Sequence, residues 1–222
     1  MIALHDNSPA VVGPGIYPML YAFFDDHGVL RQDPFRLQVD AALGTQAAGV
    51  AILGLGTEVS KLTFDERVEV LEVVGMRIDG RKPLLATVYG DTITEQIEFS
   101  KRAIQSGTSA LMLQPPSQKM DDAKLAGFFS EIISEVDCPI GIQNAPEFLG
   151  FGLSNQSLIS LANNHENFTI AKLECNAVNL ESVASELGGS VMLFNGRCGL
   201  ELPDNPVSYT HLRAHAVSYT HL

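Results

Sequence analysis

The feature that most constrains this chain is the regular alternation of short apolar, β-branched runs with segments of helical spacing. The runs fall at residues 16–24, 50–55, 83–89, 110–114, 139–143, 169–173 and 191–194. Between them, residues 33–48, 64–78, 94–105, 122–136, 153–163 and 179–187 carry apolar side chains at helical intervals. The segment 64–78 is the clearest of these. Thr63 stands in capping position with Glu66 three residues on, and Val68, Leu71 and Val74 fall on one face. Strands separated by single helices are forced into parallel pairing, because the chain must cross over before it can lay down the next one. Evenly spaced units of this kind predict an α/β protein of the (β/α)8 TIM-barrel class, which in full needs eight units and about 250 residues. Seven strand runs are present, so the expectation is a barrel truncated after about its seventh strand. An open doubly wound sheet would show a phosphate-binding turn after its first strand. Here that turn is the acidic Asp25-Asp26-His27-Gly28, and Gly54-Leu55-Gly56 lacks the rest of a dinucleotide fingerprint.

Charge narrows the partners. Lys and Arg number 14 against 26 Asp and Glu, a formal charge of -12, which repels a phosphate backbone, so no nucleic acid is expected. The apolar stretches are too short to span a membrane, and the start of the chain lacks the basic and apolar pattern of a secretory signal. Cys138, Cys175 and Cys198 are widely separated, which reads as reduced thiols and a cytoplasmic location. The final segment stands apart. The hexapeptide VSYTHL occupies residues 207–212 and again 217–222. His211 and His215 within it have the spacing of two ligands on one helical face, but the segment resembles translated sequencing-adapter sequence. The chain therefore divides into an incomplete lyase-type barrel domain, 1–206, and a non-native tail, 207–222. No metal is expected.

In a parallel barrel the working face is built from the C-terminal ends of the strands. That rule selects residues 54–57, 89–91, 114–116, 143–144, 172–174 and 195–197, and among them Lys172. It emerges from the apolar run Phe168-Thr169-Ile170-Ala171, and alternation puts Ile170, Lys172 and Glu174 on one side. A poorly solvated amine is a usable nucleophile. With a 2-keto acid it forms an imine, which draws electrons from the neighbouring carbon and needs no cofactor. The competing reading is a lysine whose charge Glu174 pairs in a structural network. Asp91 reads as a helix cap, and Arg197 as a surface or tail contact, with a substrate carboxylate as its competing partner.

These pieces, in order, resemble the dihydrodipicolinate synthase and N-acetylneuraminate lyase superfamily over residues 13–206. Gly15-Ile16-Tyr17-Pro18 through Gly28 is similar to its first strand and acidic turn. Residues 49–58 with Lys61-Leu62-Thr63 and Glu66-Arg67 are similar to its glycine-threonine-glutamate loop and the helix behind. Gln143-Asn144-Ala145-Pro146 stands where the family has tyrosine-asparagine-any-proline, Lys172 where it has the imine-forming lysine, and Asn195-Gly196 at its later glycine turn. The resemblance implies Lys172 as nucleophile and Glu174 as proton carrier. It implies Gly56, Thr57, Gln143, Asn144, Asn195 and Gly196 as substrate contacts. Glu58, tying its loop to backbone N–H groups, and Pro146 would be structural supports. A small 2-keto acid is the implied partner, and the full-length parent is expected to be a homodimer or homotetramer.

The departures point within the family. Leu55 and Gly56 replace two adjacent threonines, Gln143 the relay tyrosine, Pro115-Pro116-Ser117 a proline-tyrosine-tyrosine segment, and Phe148 an arginine that holds a second substrate's carboxylate. Gln143-Asn144-Ala145-Pro146 and Lys172-Leu173-Glu174 are instead similar to dehydratases of 2-keto-3-deoxy sugar acids such as 2-keto-3-deoxyarabonate. Dehydration by carbon–oxygen cleavage is accordingly the expected reaction. The alternatives are 4-hydroxy-tetrahydrodipicolinate synthesis, a pyruvate-dependent aldolase, and a non-catalytic 2-keto-acid-binding paralogue.

Overall fold

The computed structural model describes residues 10–187, 189–196 and, as backbone, 213–214. Six parallel strands lie side by side in the order in which the chain makes them: β1 (Val50–Ile52), β2 (Leu84–Val88), β3 (Ala110–Leu113), β4 (Ile140–Asn144), β5 (Phe168–Leu173) and β6 (Met192–Asn195). A two-residue strand, β7 (Arg213–Ala214), runs parallel beside β6, so part of segment 207–222 lies against the sheet. Helices α1 (Gln32–Leu43), α2 (Phe64–Ile78), α3 (Ile93–Gln105), α4 (Asp122–Ser134), α5 (Pro146–Leu149), α6 (Asn155–Asn164) and α7 (Ala177–Leu187) flank the strands. The sheet is an open, incomplete barrel, the architecture expected of a truncated (β/α)8 protein.

Local chemistry sets the boundaries. α2 begins with the reciprocal cap that its sequence predicts: the Glu66 N–H donates to Thr63 Oγ1 at 3.2 Å, and the Thr63 N–H donates to Glu66 Oε2 at 2.7 Å. α3 is capped by Thr92, whose hydroxyl accepts from the Glu95 N–H. Asp91, expected as the cap, instead accepts from the Ser117 N–H at 2.8 Å and ties together the loops after β2 and β3. The first expected strand, 16–24, forms only one parallel bridge among the described residues, Met19 to Ala51. Pro18 has no N–H to continue that ladder, and the Tyr21 N–H turns away to Gln38 Oε1 at 2.8 Å.

Two apolar layers result. The larger lies between sheet and helices and includes Phe35, Val70, Leu71, Phe99, Leu111, Leu125 and Phe129. The smaller fills the concave side of the sheet with Tyr17, Met19, Ala51, Leu85, Ala110, Met112, Ile170 and Phe194. The Tyr17 and Phe194 rings meet edge to face at 5.5 Å, so the sheet curls far enough to bring its first segment against β6. Leu85, Ala110 and Met112, Ile170, and Phe194 come from β2, β3, β5 and β6, while Gly141 of β4 leaves the room that Met112 and Ile170 fill, the layered filling of a barrel interior.

Candidate active site

Lys172 is the fifth residue of β5, two positions beyond Ile170 of the inner layer, so it shares that inward face. Its register partners are Gln143 on β4 and Phe194 on β6. The residue is 4% exposed, and Glu174, just past the strand end, is equally buried. Their charged ends meet: Lys172 Nζ lies 3.1 Å from Glu174 Oε1. At an effective dielectric near 20, such a pair attracts by about 5 kcal/mol. Burying both charges offsets much of that gain, so the pair is poor evidence of a purely stabilising role. Gln143 completes the group by donating its Nε2 to Glu174 Oε1 at 2.7 Å. One carboxylate oxygen therefore holds both the amine and the amide.

Gly196 walls this carboxylate. Its N–H donates to the Leu173 carbonyl at 3.0 Å, and a Cβ placed on it would lie 2.5 Å from Glu174 Cγ and 2.8 Å from Oε1. Only glycine leaves Glu174 its place.

The other expected residues divide. Asn144 and Asn195 pair with Leu173, one residue out of step with Lys172, and so belong to the opposite face of the sheet. Asn144 spends its amide on the next loop: Nδ2 donates to the Leu153 carbonyl and Oδ1 accepts from the Leu153 N–H, both at 2.9 Å. Pro146 is the first residue of α5, where its missing N–H costs nothing. Thr57 is buried in the turn after β1, its hydroxyl donating to the Leu20 carbonyl at 2.7 Å. Gly56, in the same turn, packs toward Met19. Glu58, expected to hold backbone N–H groups, instead reaches Lys61 Nζ at 2.6 Å on an exposed surface. Its expected loop-tying role is corrected accordingly: Glu58 caps the turn with left-handed backbone, φ 57°, and its carboxylate faces outward. Phe148, at the position of the family arginine, is 63% exposed on α5. Arg197, Cys198, His211 and His215 lie outside the described residues.

Two residues named from the sequence without a role of their own stand out. Arg67 is buried on α2, donating to the Tyr89 carbonyl and, at 3.0 Å, to Glu95 Oε1, with its guanidinium near the rings of Phe64, Tyr89 and Phe99. It pins the C-terminal end of β2 from behind. Gln114 is the second, a buried amide in the row of Gln143 and Lys172. A cleft of about 430 Å³ lined by Ile133, Glu135, Asp137, His165 and Asn167 lies where the chain enters β4 and β5, at the opposite end from Lys172. That face of a barrel carries stability rather than chemistry.

The sequence profile of the Dihydrodipicolinate synthetase family matches residues 13–207. The chain belongs to that family. Among its relatives, the 4-hydroxy-tetrahydrodipicolinate synthase of Pelobacter propionicus is 28% identical over 163 residues, covering 73% of this chain and 56% of that protein. YagE of Escherichia coli K12, whose name assigns it provisionally as a 2-dehydro-3-deoxy-D-gluconate aldolase, is 26% identical over 189 residues, covering 84% of this chain and 63% of YagE. This family member thus spans less than two thirds of the length of either. The crystal structure of YagE in complex with pyruvate superimposes with a TM-score of 0.84 at 23% identity, covering 92% of this chain and 70% of that one. The dihydrodipicolinate synthase of Aquifex aeolicus gives 0.85 at 22% identity, covering 93% and 70%. Both share the fold.

These relatives correct the expected reaction. Synthases and an aldolase work on carbon–carbon bonds, and the dehydratase branch with its carbon–oxygen cleavage is not supported. The short segments Gln143-Asn144-Ala145-Pro146 and Lys172-Leu173-Glu174 misled for a physical reason. They describe how an amine and a carboxylate are held, a step shared by every imine-forming lyase, and not which bond breaks afterwards.

Proposed function

We propose that this protein is an imine-forming aldolase that makes and breaks a carbon–carbon bond beside the carbonyl of a 2-keto acid, with pyruvate as the keto-acid partner. The observation that carries the reading is the buried Lys172 amine, 3.1 Å from a Glu174 carboxylate that Gln143 holds in place. Similarity to YagE, which has been crystallised with pyruvate, supports the choice of partner.

In the cleavage direction Lys172, having released one proton to solvent, adds as a neutral amine to C2 of the substrate, and loss of water with uptake of one proton gives a protonated imine. Electrons of the C3–C4 bond flow toward the imine nitrogen as the C4 hydroxyl gives up its proton. An aldehyde leaves, and an enamine of pyruvate remains on the lysine. Protonation at C3 and hydrolysis of the imine release pyruvate and restore the amine. Glu174 is the carboxylate placed to take the hydroxyl proton and return it to C3. A second reading, condensation of pyruvate with aspartate semialdehyde, is favoured by the 28% identity to the Pelobacter propionicus and Methanococcus maripaludis synthases. Against it stand Leu55, Gly56, Gln143, Ser117 and Phe148, where such synthases use hydroxyls and an arginine.

Borohydride reduction in the presence of pyruvate tests the mechanism. A stable mass increment should map to the Lys172 peptide, and Lys172→Ala should abolish both increment and turnover. An adduct on another lysine overturns the mechanism, and product analysis with aspartate semialdehyde separates the two readings. We assign the protein to the cytoplasm, supported by the wide spacing of its cysteines in the sequence, and its full-length form to a homodimer or homotetramer. We also read 207–222 as a non-native tail, supported by its repeated hexapeptide. Genomic sequence that runs through both copies without a break would refute that.

A further inference from the structure

Beside Lys172, the concave face carries two amide groups whose acceptor oxygens have no donor among the described residues. Gln143 gives its Nε2 to Glu174, an acceptor only, which fixes the opposite orientation for its carbonyl Oε1. That oxygen is buried without a hydrogen-bond partner among the described residues. On the neighbouring strand Leu113 pairs with Ile142, so the next residue, Gln114, stands beside Gln143. Gln114 follows Met112 of the inner layer by two positions, so its side chain faces the same way. It is 3% exposed, and its Oε1 is likewise buried and unmatched among the described residues. Its backbone is held firmly: the N–H donates to the Val88 carbonyl at 3.0 Å, and its carbonyl accepts from Gln96 Nε2 at 3.0 Å.

Buried acceptors are nearly always met in folded proteins. Two unmet ones in consecutive places of one row, next to the amine that would carry the substrate, call for a ligand that brings donors. The row itself reads Gln114, Gln143, Lys172, Phe194, and holds no positive charge besides the lysine. The nearby carboxylate, Glu174, is engaged by Lys172 and Gln143, so the donors that suit the two amide oxygens are neutral hydroxyls. The exposed Phe148 offers nothing to a second carboxylate.

We propose that Gln114 and Gln143 are specificity-determining residues that accept hydrogen bonds from hydroxyl groups on the aldehyde half of the substrate. The inference rests on the aldolase reading above and deepens it: the aldehyde partner is a short hydroxyaldehyde. Neither an alkyl aldehyde nor one bearing a carboxylate meets the two oxygens.

The test compares kcat/KM for addition of pyruvate to glyceraldehyde and to propionaldehyde, its analogue without hydroxyls. The unmodified protein should favour glyceraldehyde, and Gln114→Met should shrink that preference roughly tenfold, as expected for one lost hydrogen bond. Borohydride-trapped pyruvate should still map to Lys172 in the variant. An adduct at Lys172 with no preference for glyceraldehyde in the unmodified protein overturns the inference and leaves the aldolase reading standing. So does a Gln114→Met variant that keeps the full preference, or that slows both aldehydes equally. Absence of the adduct in the unmodified protein overturns the aldolase reading, and the inference with it.

Discussion

Gly196→Ala is a one-carbon change whose consequences can be worked out in advance. The added Cβ would sit 2.5 Å from Glu174 Cγ, 2.9 Å from Cδ and 2.8 Å from Oε1. Carbon atoms pack best at about 3.5–4.0 Å, so the overlap is about 1 Å and falls on the middle of the side chain. Glu174 cannot absorb it by a small terminal rotation, because Oε1 is shared between Lys172 Nζ at 3.1 Å and Gln143 Nε2 at 2.7 Å. Either the strand end at Gly196 gives way, with loss of its 3.0 Å bond to the Leu173 carbonyl, or the carboxylate leaves its partners. Overpacking of this kind costs about 1–3 kcal/mol. Urea unfolding followed by circular dichroism should show that loss, and turnover should fall with it. A double-mutant cycle isolates the cause. With Glu174→Ala the obstructed side chain is gone, so adding Gly196→Ala should cost less than about 0.5 kcal/mol further, the scatter expected for uncoupled sites. If the two changes instead destabilise additively, Gly196 is not the wall of Glu174 and the reasoning fails.

Three further outcomes are expected. Glu174→Gln should still form the borohydride-trapped adduct while turnover falls roughly 10²–10⁴-fold, the effect of losing a general acid–base group; adduct and turnover falling together would make Glu174 a positioning residue. Arg67→Met should destabilise the fold by about 1–3 kcal/mol in chemical denaturation, because it leaves the Tyr89 carbonyl without its donor and the partly exposed Glu95 without its partner; a loss below about 0.5 kcal/mol would refute that anchoring role. Cys138, whose thiol is pushed up by burial to about 11, should react with iodoacetamide near pH 8 roughly 100-fold more slowly than an ordinary thiol and accelerate steadily to pH 11; a plateau by pH 9 would contradict the burial.

The fold was legible where patterning and packing agree. α2 matches its expected span, residue for residue, because its capping box and apolar stripe are both written in nearby residues. Lys172 and Glu174 were legible for the same reason: strand alternation and short spacing settle their common face. Alternation also misled when applied without register. Asn144 and Asn195 sit beside inward residues in sequence, yet they pair with Leu173 and fall on the other face. The weak first strand was hidden because Gln38, on α1, takes the Tyr21 backbone groups, a contact between segments that periodicity does not encode. Arg67 was hidden likewise, since a basic residue in a first helical turn normally reads as solvated, and its partners Tyr89 and Glu95 come from later units. The bond broken is the least legible feature of all, because the residues that form an imine are common to reactions that diverge after it.

The edge-to-face meeting of Tyr17 and Phe194 also dictates an order of events in folding. Every strand pairs with its immediate successor, so the ladders from β1 to β6 are built from contacts between consecutive units and can form early. The aromatic contact joins groups separated by almost the whole described chain, and its loop-closure cost falls due only at the end. Until then Leu85, Met112 and Ile170 face water on the concave side of a sheet whose helices are already docked. Such an intermediate would bind a hydrophobic dye strongly and would hold Lys172 in open solvent. Maturation of the chemistry would then coincide with the last step of folding, and nucleophilicity at Lys172 would report it.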